Sequence, residues 1–166
     1  MRNCAILLTN NSSLRRWISS THLVKGSSLD VLVTVRDAVH GGAYLLTHPL
    51  CGNLRPHQQP FRSVLIKEIS DFPEEVRRLA GSVPVGHPAR VDLDSLSMIE
   101  EAVLLYRAHE DRLLLPENLP EATREDYAFI DAELMRESLA QYGLLPEGFA
   151  NKAENGLAKE VKSDAD

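Results

Sequence analysis

The chain has 166 residues, 43% hydrophobic and 25% charged, which is enough to bury a core without disulfides and is ordinary for a globular protein. Its formal net charge of −6 excludes general nucleic-acid binding, which needs a basic footprint. Two cysteines, Cys4 and Cys51, do not make a disulfide framework. The opening "MRNCAILLTNNSS" carries an apolar run too short for a secretory leader or a membrane span, so the expected location is the cytoplasm, with no membrane partner.

In chain order, "CAILLT" (4–9) is a continuous apolar run and predicts a strand buried on both faces. "SSLRRWIS" predicts one or two helical turns capped by Ser12 or Ser13. "THLVK" (21–25) is a short second strand. A helix follows, with Ser27 and Asp30 in the spacing of a capping box and Leu29, Leu32, Val35 and Val39 on one face. Gly41–Gly42 stops it, and "AYLLT" (43–47) is a third strand. Residues 21–47 thus read as a βαβ unit.

"FRSVLIKEI" (61–69) predicts a fourth strand, and the Pro- and Gly-punctuated segment after it reads as a loop with a helical turn. A long helix begins near Asp94 as its cap, with Leu96, Ile99, Val103 and Tyr106 as its buried stripe. A last helix runs over 121–143, with Thr123 and Asp126 in a cap-like pattern and Gly143 as terminator. These elements predict a three-layer α/β domain over 1–116, with a mostly parallel sheet of about four strands and flanking helices. Residues 117–146 add a C-terminal helical extension, and 147–166 read as an acidic, disordered tail.

In parallel α/β sheets, ligands bind beyond the carboxyl ends of the strands. Three connections leave such ends: "TNNSS", "KGSS" and "THPLCGN". With the first strand central and the second and third on either side, Asn10–Asn11 and Thr47–His48 become neighbours. Helix starts at Ser12 and Ser27 favour an anion, and Arg55, His57 and Arg62 add positive or protonatable charge. The candidate ligand-binding set is Asn10, Asn11, Thr47, His48, Asn53 and Arg55, with a small anionic metabolite as ligand. The competing reading is local capping and turn formation by the same residues.

His48 is a candidate acid/base and Cys51 a candidate nucleophile beside it. The alternatives are a histidine that caps the strand end and a small buried cysteine. No metal site is expected, because His40, His48, His57 and His87 lack paired ligand spacing. No cofactor is expected either, since neither phosphate-binding glycine motif is present. The length of the last helix makes a homodimer, or a protein–protein adaptor through 120–143, further expectations.

"LLTNN", "LDVLVTVRDAVHGGAYLLTHPLCGNLRPHQQPFRSVLI" and "LDSLSMIEEAV" together resemble the GrdX family over residues 4–112. Its members are small proteins encoded with glycine, sarcosine and betaine reductase systems. The resemblance implies an accessory role beside such a reductase, with reductase components as partners, and assigns no catalytic residue. Cys51 stands where the family pattern suggests a small residue such as Ser, which weakens a required thiol.

Overall fold

The computed structural model describes residues 5–52, 55–67 and 91–145. Cys4, Asn53, the punctuated loop after the fourth strand with His87, and the 147–166 tail lie outside the described residues. The elements are β1 (Ala5–Thr9), α1 (Ser12–Arg15), β2 (Thr21–Leu23), α2 (Ser28–His40), β3 (Tyr44–Leu45), β4 (Ser63–Lys67), α3 (Leu93–Arg107) and α4 (Glu121–Gln141). The strands are shorter than their apolar runs suggested.

The four strands lie in the order β2-β1-β4-β3. Among the described strands, β1 and β2 pair in parallel, and β4 runs antiparallel to both β1 and β3. The expectation of a mostly parallel sheet is therefore corrected to a mixed one. The reason lies in the connection before β4. A parallel return needs a crossover of a dozen or more residues, usually helical. Among the described residues of 48–62 the element is one short 3-10 turn, Pro56–Gln58, and the chain doubles back beside β3. The β2–α2–β3 unit keeps its parallel strand direction, but its two strands end up at opposite edges of the sheet.

The strand registers sort side chains onto two faces. Leu8, Val64 and Ile66 meet α2 through Val31, Leu32, Val35 and Val39, and α3 through Ile99, Val103 and Tyr106. Leu7 and Leu65, paired across β1 and β4, face the other way and pack with Leu14, Ile18 and the α4 residues Ala132, Met135 and Leu139.

Local capping follows the sequence for α2 and for the end of α4, and departs from it at the starts of α1, α3 and α4. Ser27 caps α2, and Asp30 completes the capping box. The cap of α1 is Asn11 rather than Ser12 or Ser13, and Ser13 instead donates to it. Asp92, not Asp94, caps α3 by accepting from the Ser95 amide at 2.9 Å. Thr123 lies inside α4, which starts after Pro120 without a side-chain cap. Gly143, at φ +65°, closes α4 with paired bonds from the Gly143 and Leu144 amides to Ala140 and Leu139, a Schellman ending.

Candidate functional site at the end of β1

The carboxyl end of β1 lies beside the amino end of β4, because Thr9 pairs with Ser63. Thr9 is fully buried, so its hydroxyl must find partners inside. The Asn11 amide donates to Thr9 Oγ1 at 2.9 Å, and Thr9 Oγ1 lies 2.7 Å from Ser63 Oγ. Ser63 Oγ donates to Asp131 Oδ2 at 2.7 Å. Ser63 has one hydroxyl hydrogen, so Thr9 is the donor to Ser63, and the chain of bonds runs one way toward Asp131.

Asn11 adds a second donor to the same oxygen, with Nδ2 3.0 Å from Asp131 Oδ2 and 2.9 Å from the Ala128 carbonyl. Asn11 therefore both starts α1 and holds α4 to the sheet. Asn10 works in the other direction. Its Nδ2 donates to the Gly26 and Pro60 carbonyls at 3.0 and 2.9 Å, and its Oδ1 accepts the Arg62 amide at 2.8 Å. Asn10 thus joins loops to one another while Asn11 ties α4 to the sheet, and both side-chain amides are committed within the protein.

Two buried groups of opposite charge sit behind these bonds. Asp131, 8% exposed, is pushed above the usual carboxylate range by burial, although the bonds from Asn11 and Ser63 and the charge of Arg62 all pull it down. Arg62, 3% exposed, donates through Nη1 to the Cys51 carbonyl at 2.8 Å and through Nη2 to Gln59 Oε1 and the Tyr106 hydroxyl. Its guanidinium carbon stands 5.5 Å from the Tyr106 ring centroid, within cation–π range. Its Nε has no hydrogen-bond partner among the described residues. The Tyr106 hydroxyl is raised by its own burial and, less, by Asp131, against the opposing pull of Arg62.

The connection at residues 45–60 supplies the rim. Thr47 Oγ1 accepts the Leu65 amide at 2.9 Å and so prolongs the pairing of β3 with β4. His48 is exposed, and its Nδ1 accepts the Leu50 amide at 3.1 Å while its carbonyl accepts the Cys51 amide. Cys51 is half-buried, with Sγ 4.0 Å from the Leu134 carbonyl. No bond joins His48 to Cys51 among the described residues. Arg55 is exposed beside the 3-10 turn, and its amide and carbonyl both bond Gln58.

The structure thus brings Asn10, Asn11 and the 47–52 turn to the same end of the sheet, as expected, but with β4 between their strands. The link across is Arg62, bonded to Cys51 on one side and, through its amide, to Asn10 on the other. At the start of α2 the anion position is already filled by the Asp30 carboxylate. Asp131 and Arg62 were not singled out as a pair by the sequence. The usable signal was Asp131 at the inward-facing spacing of Met135 and Leu139, a polar residue in an apolar stripe.

A cleft opens beside Asp131, between Gln59, Pro60 and Phe61 on one side and the α4 residues Tyr127, Ile130, Asp131 and Leu134 on the other. No three His, Cys, Asp or Glu side chains cluster as a metal site among the described residues, and no described helix is long and apolar enough to cross a membrane. Fold and site together define a small α/β protein with a mixed sheet, whose strand end is closed by a buried, charge-bearing polar network. Residues 6–77 match the family model described as GrdX-like protein, in agreement with the resemblance in the sequence. The matched stretch spans β1 to β4 and includes Thr9, Asn10, Asn11, Arg62 and Ser63; Tyr106 and Asp131 lie beyond it. No curated protein and no solved structure matches the chain.

Proposed function

We propose that this chain is a GrdX-like accessory protein of glycine, sarcosine or betaine reductase-type amino-acid metabolism, and that it binds a small metabolite rather than transforming it. The observation that carries the reading is the cleft beside Asp131, between the 59–61 segment and α4, with the 47–52 turn tied to that segment through the Arg62–Cys51 bond. Exposed Arg55 offers charge, and exposed His48 a polar ring, to the anionic end of such a metabolite. An acid/base enzyme draws less support. His48 Nδ1 already accepts a backbone amide, and Cys51 Sγ is directed at the Leu134 carbonyl.

The test is a thermal-shift screen with glycine, sarcosine, betaine, acetyl phosphate, phosphate and nucleotides, because a ligand bound only to the native state raises its stability. The expected result is a shift with a member of the panel that is lost in His48→Ala and kept in Cys51→Ser. A shift that needs Cys51 would return the weight to the enzyme.

A second reading, an adaptor for reductase components or a second copy, is favoured by the outer face of α4. Phe129, Ile130 and Leu134 are 45%, 42% and 36% exposed. Deleting 117–166 would not test it, because Met135 and Leu139 on the same helix belong to the core. The Phe129→Ser/Ile130→Ser double variant is expected to keep the fold and lose co-purification with reductase components and any self-association. Retained association on gel filtration and in pull-downs would exclude this surface.

A further inference from the structure

We propose that Asp131 forms the floor of a binding site for a small ammonium group, entered through the cleft between the 59–61 segment and α4. The inference rests on the reading that this end of the sheet binds a small metabolite, and it names the group received there.

The two oxygens of Asp131 differ. Oδ2 accepts from Asn11 and from Ser63. Oδ1 accepts from no described residue, and it is not sealed in the interior, since Asp131 lines the cleft. A carboxylate accepts on both oxygens, so this one has acceptor capacity left over. Burial raises the proton affinity of the carboxyl against the combined pull of Asn11, Ser63 and Arg62, so a cation placed beside it would be favoured. Arg62 does not fill the gap, because its terminal nitrogens are committed to Cys51, Gln59 and Tyr106.

The walls decide the chemistry. Pro60, Ile130 and Leu134 are apolar, Phe61 and Tyr127 are aromatic, and the one further polar wall, Gln59, has its Oε1 bonded to Arg62. An anion would meet a carboxylate with no cation facing it. The cleft is small, which suits a compact –NH3+ better than a planar guanidinium. An ammonium on a short alkyl stem would place its donors on Oδ1 and its carbons along Ile130 and Leu134. The aromatic walls tolerate a cation where they would not favour an anion.

The probe is methylammonium chloride added to the full chain, with sodium chloride and tetramethylammonium chloride at matched ionic strength. Thermal stability and the amide chemical shifts of α4 are the readouts. Methylammonium is expected to raise the melting temperature saturably and to shift amides around Asp131. Tetramethylammonium, which has no N–H and is too large, is expected to act like sodium. Asp131→Asn is expected to weaken the response about ten-fold or more, the usual worth of a hydrogen bond to a charged group. If that variant does not fold, Ile130→Trp, at an exposed helix position on the cleft wall, is expected to block the response instead.

Equal responses to the three salts, or a methylammonium response unchanged in both variants, would overturn the site. A metabolite response that needs His48, with none to methylammonium, would overturn the ammonium assignment and leave the proposed function standing. No response to any compound would remove both.

Discussion

The two faces of the sheet are closed by different means. On one, Val64, Ile66 and Leu8 meet α2 and α3 in an almost wholly apolar layer. On the other, a smaller apolar cluster around Leu7, Leu65 and Met135 shares its helix with the Thr9–Ser63–Asp131–Asn11 bonds. Apolar burial is strong but tolerant of position, whereas a buried polar network rewards one placement and penalises the others. The first face therefore supplies most of the stability. The second fixes where α4 sits, and with it the shape of the cleft.

Truncation separates the two most sharply. Ile99→Ala, at a fully buried α3 position on the apolar face, is expected to cost about 2–5 kcal/mol of unfolding free energy by chemical denaturation. Asn11→Ala on the polar face removes the α1 cap and two donors to α4, with an expected loss of about 2 kcal/mol. Its signature is local: hydrogen exchange should quicken in α4 more than in α2 or α3. Uniform quickening would break the comparison.

Gly52→Ala comes next, at about 1 kcal/mol. Gly52 has φ +99°, and a Cβ there would come within 3.0 Å of Leu134 Cδ1 and 3.2 Å of Gln59 Nε2, so the turn is seated directly against α4 and the cleft. A variant as stable as wild type in a thermal melt would show that the turn is not held there.

The smallest effect is on pH dependence. Burial raises Asp131, so the folded state keeps a proton over a range in which the unfolded chain has lost it. Its contribution to stability is therefore greatest below the ordinary carboxylate pKa of 3.8 and declines as pH rises through the raised folded value. Asn at this position does not titrate, so the melting temperature of Asp131→Asn should gain on wild type as pH increases. Parallel curves for the two proteins would mean that Asp131 is not buried as described.

Much of this fold was legible because its signals are local. The capping box of Ser27 and Asp30 and the spacing of Leu32, Val35 and Val39 lie within α2 and needed no tertiary partner. Strand β4 was legible as an apolar run, but its direction was not, since the same letters serve a parallel or an antiparallel neighbour. That Asn10 and Asn11 sit at the carboxyl end of β1 followed from the apolar run before them, but their neighbour did not, since β4 rather than β3 lies beside β1. What those side chains bond did not, because Asn11 reaches Ala128 and Asp131 from the far end of the described chain. On sequence, only its spacing to Met135 and Leu139 sets Asp131 apart from the solvated acids of the same helix.

The edges of the sheet carry a consequence of their own. Its longest strands, β1 and β4, have five residues each and occupy the centre, paired with each other. The strands at the margins, β2 and β3, have three and two. An intruding chain that adds itself to a sheet needs a long row of open amides and carbonyls, and strands this short offer few. Thr47 narrows one margin further by turning its hydroxyl back onto the Leu65 amide. Among the described residues, the longest apolar strands are thus paired at the centre, and the margins offer few open groups to a neighbouring copy.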